Sequence, residues 1–258
     1  MQIQEAGSII LPNIRKFYIP DPGHLIFDVD LAGADAQIVA WEANDEPLKQ
    51  AFRDHAAGRG PKVHCVNSKA IFGAKAGPDG KTDPYYTYAK MGVHLTNYGG
   101  TAPTCALALH ISRREAEDFQ NEWFRLHPAI RAWHNKVLDQ LAATRTVTNP
   151  FGFSRTYFER IEGLLPEALA WVPQSTVAIV INTAWNRIVR QLKEAQILLQ
   201  VHDSLVGQCP IHLWPQVKPQ LRDLLNVVIP YPDPLIIPTG LKTSTKSWGD
   251  AQDEAWDA

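Results

Sequence analysis

Two aspartates that end apolar runs are the residues of this sequence with the clearest chemical potential. Asp30 follows the run LIFDV at 25–29, and Asp203 follows the run ILLQVH at 197–202. Each run predicts a short buried strand with a carboxylate at its tip. If the tips are neighbours, they can hold the two hard divalent cations that phosphoryl transfer uses. For a lone aspartate at a strand end, a turn or a helix cap is the plain alternative.

A basic and aromatic stripe is predicted on a helix between these two strands. Asp83-Pro84 is typical of a helix start, with an aspartate cap and proline in the first turn, and Gly99-Gly100 marks its end. Four-residue spacing puts the larger polar side chains on one face, where a lysine can meet phosphate and aromatic rings can support a base. A solvated lysine beside core tyrosines is the alternative. The stripe consists of Tyr86, Lys90, His94 and Tyr98, with Asn97 alongside.

The remaining pattern predicts an α+β protein in which a largely helical block separates the two aspartate strands. The simplest arrangement places that block as a subdomain over a sheet that carries both carboxylates. In the first half of the chain we also predict a helix from about residue 35 that continues toward Phe52, and a helix that starts with a capping box at 112–115. After Pro128 we predict a second helix, then a hairpin within 146–160 and a helix capped by Ser175 or Thr176. A strand at 205–209 should pair with the Asp203 strand, and a C-terminal helix followed by strands should complete the chain.

Composition indicates a globular protein and excludes several other classes. The 258 residues are 45% hydrophobic and 20% charged, with a net charge of −2, which does not by itself indicate a nucleic-acid binder. Three cysteines without a CxxC pair argue against a structural zinc site or a disulfide framework. The N-terminus has no signal pattern and no apolar run reaches membrane length, so we expect a cytoplasmic protein with no membrane partner.

Three segments together resemble the polymerase motifs of family A DNA polymerases, the family of bacterial DNA polymerase I. Residues 30–41 (DLAGADAQIVAW) are similar to motif A, residues 90–99 (KMGVHLTNYG) to motif B, and residues 200–203 (QVHD) to motif C. The three stand in the family's order, and similarity extends from about Arg15 to the C-terminal KSWG at 246–249. The resemblance implies an antiparallel palm sheet with an inserted, mainly helical fingers subdomain, and a template-directed DNA polymerase in a bacterial or phage-infected cell.

The resemblance also implies roles for individual residues. Asp30, Asp203 and the Leu31 carbonyl would hold two Mg²⁺ ions, and Lys90 would grip the triphosphate and act near the departing pyrophosphate. Tyr98 would lie below the templating base pair. Asp28 shares a strand face with Asp30 but fits the motif register less well. The implied partners are primer-template DNA and deoxynucleoside triphosphates.

Several positions depart from the family's pattern. Tyr86 stands where the family has an arginine, and His94 stands where it has Phe or Tyr. Asp35 replaces the glutamate that excludes the ribose 2′-hydroxyl, so the sugar gate would be looser. Ser204 replaces a glutamate that follows the motif C aspartate. The resulting sequence His-Asp-Ser is the form that motif C takes in single-subunit RNA polymerases of the phage type. An RNA polymerase-like enzyme is therefore an alternative.

Three further residues are expected to contact DNA. Arg155 lies in a segment similar to the family's hairpin that meets template or primer backbone, and Gln174 in one similar to a helix start at the minor groove. His202 would approach the primer terminus. From the residues alone, a surface salt bridge for Arg155 and a helix-terminal hydrogen bond for Gln174 are equally plausible.

The predicted division is palm over 1–45, fingers over 46–125 and palm again over 126–258, with the family's thumb absent. We therefore expect a protein partner that supplies the thumb or an exonuclease function. Three interpretations of the protein remain: one half of a split polymerase, a minimal distributive enzyme, or a non-catalytic nucleic-acid-binding subunit. Asp30, Lys90, Tyr98 and Asp203 are all retained, which argues against a degenerate remnant.

Overall fold

A computed structural model describes residues 12–77 and 83–257 of the chain. By contacts these residues form two compact units: unit 1 holds residues up to 32 with 181–227 and 239 onward, and unit 2 holds 33–180 and 228–238. The strands and α-helices, in chain order, are β1 (His24–Leu31), α1 (Ala34–Glu42), α2 (Glu46–Ala56), α3 (Val63–Phe72), α4 (Pro84–Asn97), α5 (Ala102–Leu109), α6 (Arg113–Leu126), α7 (Pro128–Thr144), β2 (Thr146–Thr148), β3 (Ser154–Thr156), α8 (Leu165–Gln191), β4 (Gln196–Val201), β5 (Ser204–Pro210), α9 (Trp214–Leu225), β6 (Thr239–Ser244) and β7 (Gln252–Asp253).

Unit 1 is built on a five-stranded antiparallel sheet in the order β4-β5-β1-β6-β7. The central strand β1 is buried from Leu25 to Val29, and every residue of that stretch except Asp28 is apolar. Phe27 stacks on Trp214 of α9, with ring centroids 5.7 Å apart. This sheet and the helices around it confirm the predicted α+β class, and β5 is the predicted hairpin partner of β4.

Unit 2 is mainly helical, and its first helix is shorter than the sequence pattern suggested. The predicted stripe ran from residue 38 to Phe52, whereas α1 ends at Glu42 and α2 starts at Glu46. Asn44 between them has a left-handed φ of 53°, which interrupts a right-handed helix. Asp45 then caps α2 by accepting a hydrogen bond from the Leu48 amide at 3.0 Å.

Local signals at helix starts and at the hairpin were accurate. The Asp83 carboxylate accepts a hydrogen bond from the Tyr85 amide and opens α4, as predicted. Ser112 and Glu115 form the predicted reciprocal capping box at the start of α6. Strands β2 and β3 pair within the predicted hairpin. Each of these features depends on contacts between residues close in sequence.

The predicted helix start at Ser175 or Thr176 is wrong. Helix α8 runs from Leu165 to Gln191, so both residues lie in its interior. Their hydroxyls donate to the Val172 carbonyl, at 3.1 Å for Ser175 and 2.7 Å for Thr176, instead of accepting from backbone amides as caps do. Helix α8 also contains Pro173 in its interior.

The compact units divide the chain after residues 32, 180, 227 and 238. The assignment of residue ranges to palm and fingers stays a prediction. None of the helices in the described ranges is long and apolar enough to cross a membrane.

Candidate active site

The structure brings Asp30 and Asp203 together at one end of the sheet in unit 1. Asp30 pairs with Ser204 of β5, the residue that follows Asp203. The Leu31 amide donates to the Asp203 carbonyl at 3.0 Å, so the strand tip and the hairpin turn are joined directly. Both aspartates are half-buried. We call Asp30, Leu31 and Asp203 the carboxylate corner.

A two-residue loop between β4 and β5 positions Asp203. Val201 pairs with Ser204, and only His202 and Asp203 lie between the strands. His202 is exposed and takes the left-handed φ of 54° that such tight hairpins require. The Ser204 hydroxyl donates to the Val201 carbonyl at 3.0 Å and closes the loop. The Ser204 side chain therefore stabilises the loop between β4 and β5.

On its other side Asp30 is packed against a glycine. Gly240 of β6 pairs with Asp30, and a Cβ atom added there would lie 2.8 Å from the Asp30 Oδ1. The missing side chain leaves room for the carboxylate beside the backbone. The position of Asp30 is thus determined by both neighbouring strands.

The Asp28 side chain is buried and hydrogen-bonded in the core of unit 1. It is 7% exposed, and its Oδ2 accepts a hydrogen bond from Trp248 Nε1 at 2.7 Å. Trp248 is also covered by Arg15, whose guanidinium lies 4.6 Å from the ring centroid. Asp28 therefore holds the C-terminal segment against the sheet, and Asp30 remains the carboxylate at the strand tip.

The donors at the corner suit a hard cation. Two carboxylates and a backbone carbonyl are oxygen ligands of the kind that Mg²⁺ prefers. Within residues 12–77 and 83–257, no group of three or more His, Cys, Asp and Glu side chains could hold a metal ion. The remaining ligands of any Mg²⁺ bound here would come from backbone, water or a bound phosphate.

In unit 2 the predicted stripe lies along α4. Lys90 and His94 are exposed, whereas Tyr86 and Tyr98 are half-buried. The His94 and Tyr98 rings meet edge to face, with centroids 4.4 Å apart. Tyr98 follows the last helical residue, and Gly99 turns the chain with a φ of 72°. The stripe therefore runs along α4 and ends at Tyr98, the residue that follows the helix.

The C-terminal half of α4 is fixed by buried hydrogen bonds. Asn97 accepts a hydrogen bond from Trp123 Nε1 at its side-chain oxygen, and from His134 Nε2 at its carbonyl, both at 2.9 Å. The Gln120 amide donates to the Gly100 carbonyl at 2.7 Å. Gly92 lies against Phe119, where an added Cβ would come 2.5 Å from the ring. Helices α6 and α7 thus hold α4 in place.

Asp35 of α1 acts on two members of the stripe. Burial raises the pKa of the Tyr98 hydroxyl, and the nearby Asp35 carboxylate raises it further. The buried Tyr98 hydroxyl nevertheless makes no hydrogen bond of standard geometry to any described residue. Partial burial of the His94 ring lowers its pKa, while Asp35 raises it and Lys90 lowers it. Asp35, His94 and Tyr98 therefore share one electrostatic environment.

Sequence reasoning missed His64, which lies beside the stripe. Its ring on α3 meets that of Tyr86 edge to face, with centroids 6.0 Å apart. Burial lowers its pKa from 6.5 to about 4, and the charges of Lys90 and His94 lower it as well. Its Nδ1 is buried and has no hydrogen-bond partner among the described residues. No spacing rule links residue 64 to α4, so only the packing of α3 reveals the neighbour.

The predicted DNA contacts of unit 2 are on its surface. Arg155 forms an ion pair with Glu167 and lies 4.7 Å over the Tyr157 ring centroid, so the salt bridge weighed from the sequence is present. Gln174 is exposed in the interior of α8, which excludes a helix-terminal hydrogen bond for it. His202 belongs to unit 1, in the loop described above.

Comparison with known proteins identifies the family. The model of DNA polymerase family A matches residues 5–250. The DNA polymerase of Mycobacterium phage D29 is 25% identical over 242 residues, covering 92% of this chain and 37% of that protein. The thermostable DNA polymerase I of Thermus aquaticus is 27% identical over 239 residues, covering 88% of this chain and 28% of that protein. DNA polymerase I of Treponema pallidum is 28% identical over 249 residues, covering 92% of this chain and 24% of that protein.

A solved structure shares the fold. The POL domain of Pol1 from M. smegmatis, in complex with DNA primer-template and dNTP, aligns with a TM-score of 0.79 at 20% identity. The alignment covers 95% of this chain and 44% of that one. The chain spans between 24% and 37% of the length of the three relatives named above. Because the family model matches nearly all of its residues, this chain belongs to DNA polymerase family A.

Proposed function

We propose that this chain is a template-directed DNA polymerase that extends a primer 3′-hydroxyl with deoxynucleoside triphosphates. The observation that carries the proposal is the carboxylate corner. Asp30 and Asp203 are distant in sequence, yet the pairing of β1 with β5 makes them neighbours at one sheet end. Two carboxylates at such a point are what two-cation phosphoryl transfer needs.

The corner would hold two Mg²⁺ ions through Asp30, Asp203 and the Leu31 carbonyl. The ions, when bound, lower the pKa of the primer hydroxyl and support the departing pyrophosphate. The Leu31–Asp203 hydrogen bond and the Ser204 loop closure would keep the backbone that carries the two carboxylates rigid. That rigidity is the contribution of the fold to catalysis.

The α4 stripe would bind the incoming nucleotide. Lys90 is exposed and can meet the triphosphate as a point charge. Tyr98, with its ring against His94, offers an aromatic surface below the templating pair. Tyr86 and His94 would complete the nucleotide contacts, and Asp35 would face the sugar.

Contacts to DNA would come from Arg155, Gln174 and His202. The ion pair of Arg155 with Glu167 would open when a phosphate takes the place of the carboxylate. Because surface ion pairs contribute at most about 1 kcal/mol, this exchange costs little. Gln174 is exposed in the interior of α8 and does not cap a helix. His202, at the exposed tip of the β4–β5 loop, would approach the primer terminus.

A protein partner that supplies the thumb or an exonuclease function belongs to this proposal, as does a cytoplasmic location. The matching region covers 44% of the solved polymerase domain. Each phosphate contact that a partner adds would strengthen duplex binding and make that binding more dependent on salt. Added partner chains would therefore raise processivity more than the rate of a single incorporation.

Single-nucleotide primer extension with Mg²⁺ tests the proposal. Asp30→Asn and Asp203→Asn should each lower incorporation at least about 1000-fold, because several kcal/mol of charge stabilisation are lost. Lys90→Ala should lower it about 100-fold through loss of a charged phosphate contact. The matched controls are Asp253→Asn on the exposed strand β7 and Lys69→Ala on α3. Full activity of Asp30→Asn would refute the proposal.

An RNA polymerase-like enzyme is a second candidate, favoured by one observation. The buried Tyr98 hydroxyl makes no hydrogen bond of standard geometry to Asp35, although the carboxylate is close enough to raise its pKa. Aspartate is one methylene shorter than the family's glutamate, so the sugar gate would be open wider. Competition between ribo- and deoxynucleoside triphosphates in the same assay separates the two, and Asp35→Glu should increase preference for the deoxy sugar.

A non-catalytic nucleic-acid-binding subunit is the third candidate. The retained corner speaks against it, since binding alone does not need two paired carboxylates at a strand tip. Asp30→Ala discriminates: in an enzyme it leaves DNA binding intact and abolishes synthesis. Absence of incorporation by the unaltered chain with every candidate partner would favour the binding subunit.

A further inference from the structure

We propose that buried hydrogen bonds from α6 and α7 set the position of the Tyr98 ring and thereby control how strictly an incoming nucleotide is selected. This inference rests on the proposed function, because it takes Tyr98 as the surface below the templating base pair. It assigns a positioning role to residues for which no contact with nucleotide or metal is proposed. We call these residues the α4 anchor: the donors are Gln120, Trp123 and His134, and the acceptors are Asn97 and Gly100.

The Tyr98 side chain is not held by its own polar group. Its hydroxyl is buried and makes no hydrogen bond of standard geometry to any described residue. Its ring lies edge to face on that of His94, which is itself exposed on the same helix. The position of the Tyr98 ring therefore depends on the backbone that carries it.

The residue before Tyr98 is anchored twice. The Asn97 side-chain oxygen accepts a hydrogen bond from Trp123 Nε1, and the Asn97 carbonyl accepts one from His134 Nε2, both at 2.9 Å. Because a carbonyl can only accept, the His134 ring carries a proton on Nε2. Asn97, Trp123 and His134 are 3%, 0% and 8% exposed, so water does not compete for these bonds.

The residues after Tyr98 are held as well. Gly99 turns the chain in the left-handed region, and a Cβ atom added there would lie 3.2 Å from the Leu169 side chain. The Gly100 carbonyl accepts a hydrogen bond from the Gln120 side-chain amide at 2.7 Å. Tyr98 thus lies between two fixed points of the backbone.

One bond of the α4 anchor contributes more to geometry than to folding. The Asn97 carbonyl belongs to the last turn of α4 and lacks an intrahelical partner, so the His134 bond meets a need of every helix end. The bond from Trp123 to the Asn97 side chain meets no such need, because two apolar side chains of similar shape give similar stability. A buried polar pair fixes one arrangement, since any displacement leaves a buried group without a partner.

A fixed Tyr98 ring would favour correctly paired nucleotides. A base pair stacks well on an aromatic ring only when the two faces are in contact. An incorrect pair has a different shape, and the α4 anchor opposes the movement of the ring that such a pair requires. Selection depends on the difference in transition-state binding between correct and incorrect nucleotides, so a loosened ring lowers it.

Single-nucleotide primer extension with the correct and an incorrect deoxynucleotide measures this selection as the ratio of the two kcat/KM values. The variant Asn97→Leu/Trp123→Phe removes both polar partners and keeps side chains of similar shape. Its thermal midpoint should stay close to that of the unaltered chain. The ratio should fall about tenfold, mainly through a higher KM for the correct nucleotide, because a misplaced positioning group costs rates of this order.

A second pair of variants tests the bond to the Asn97 carbonyl. His134→Gln retains an N–H donor, whereas His134→Leu removes it. The glutamine variant should keep most of the selection ratio, and the leucine variant should lose it. If the Asn97→Leu/Trp123→Phe variant does not fold, this pair decides the outcome.

Trp214→Phe is the matched control in unit 1. The Trp214 side chain is 8% exposed, and its Nε1 donates to Glu254 at 3.1 Å, so the variant also loses an indole hydrogen bond. It should lower the thermal midpoint and leave the selection ratio unchanged. A loss of selection equal to that of the double variant would overturn the inference, because general destabilisation would then explain both.

Amide hydrogen exchange gives a measurement that needs neither DNA nor nucleotide. The Tyr98 amide donates to the His94 carbonyl at 3.2 Å, and the Gly100 amide to the Leu95 carbonyl at 2.8 Å. Both amides should exchange at least about tenfold faster in the double variant, while that of Val93 in the middle of α4 should not change.

Unchanged exchange at Tyr98 and Gly100 would overturn the inference, as would an unchanged selection ratio in an active double variant. Faster exchange together with absent incorporation by the unaltered chain would refute the polymerase proposal and leave the anchoring of Tyr98 intact. Incorporation by the unaltered chain with unchanged exchange in the variant would do the reverse. The two proposals can therefore fail separately.

Discussion

The carboxylate corner and the α4 stripe are built in opposite ways. The corner joins residues 30 and 203 through strand pairing, and each carboxylate depends on neighbours far away in sequence. The stripe lies on one helix, and its spacing follows from 3.6 residues per turn. Its helical members share one side of α4 wherever that helix forms.

This difference teaches which changes each region should tolerate. The sheet that carries the corner has glycines where strands and side chains approach closely, at Gly207 in its interior and at Gly240 beside Asp30. The stripe is exposed on one side and held on the other by α6 and α7. Packing errors should therefore affect the corner through the sheet, whereas the stripe should respond mainly to charge.

The largest effect on stability is expected from Gly207→Ala. A Cβ atom on this β5 residue would lie 2.6 Å from the Gln196 carbonyl oxygen and would collide with the Phe27 ring. Backbone on one side and a buried ring on the other leave no room, so we expect a loss of about 3 kcal/mol in the free energy of unfolding. Chemical denaturation measures it. Leu198→Ala on the exposed side of β4 is the control, and equal losses would contradict the packing argument.

A pH-dependent loss of stability should originate beside the stripe. The His64 pKa is about 4 in the folded protein, below its ordinary 6.5. Between these values the unfolded chain binds more protons, so the free energy of unfolding falls as pH falls from 6.5 toward 4. The His64 share should be about 2 kcal/mol after allowance for its partial exposure.

Denaturation at pH 7 and pH 5 of the unaltered chain and of His64→Gln measures the part of this share that is lost above pH 5. The variant should lose less stability over that interval. His55→Gln, an exposed histidine on α2, should behave like the unaltered chain. An identical pH profile for His64→Gln would show that the ring is not kept neutral by its surroundings.

Gly240→Ala should damage chemistry at the corner more than folding. The added Cβ would lie 2.8 Å from the Asp30 Oδ1, and the carboxylate can rotate away at small cost. Displacement of a metal-binding carboxylate by a fraction of an ångström should lower primer extension about tenfold. Thermal unfolding should change little. Unaltered activity would indicate that the position of Asp30 is less critical than the pairing suggests.

The smallest effect is expected from Gly92→Ala on the packed side of α4. The new Cβ would come 2.5 Å from Phe119, a side chain that can tilt, and alanine favours helix over glycine. The two effects oppose each other, leaving a net loss of about 1 kcal/mol. Met91→Ala, on an exposed side chain of the same helix, is the control. A loss as large as that of Gly207→Ala would mean that α4 is held as rigidly as the sheet.

Sequence patterns predicted the elements that depend on near neighbours. The caps at Asp83 and Ser112, the β2–β3 hairpin and the α4 stripe follow from short-range rules. The predicted helix start at Ser175 or Thr176 was wrong. The hydroxyls of these residues can donate hydrogen bonds to a carbonyl within a helix as readily as they can cap one. The break after Glu42 was also missed, since an apolar stripe does not reveal where a helix stops.

The sequence by itself determined the family, the type of most elements and the identity of the two strand-tip aspartates, because these depend on residue order and short-range periodicity. Only the tertiary structure decided which neighbours those residues have. It placed Asp30 between Ser204 and Gly240. It also formed the hydrogen bond from Trp248 to Asp28 and packed His64 beside the stripe. Pairing and packing between distant segments depend on burial of the whole chain, and no local spacing rule encodes them.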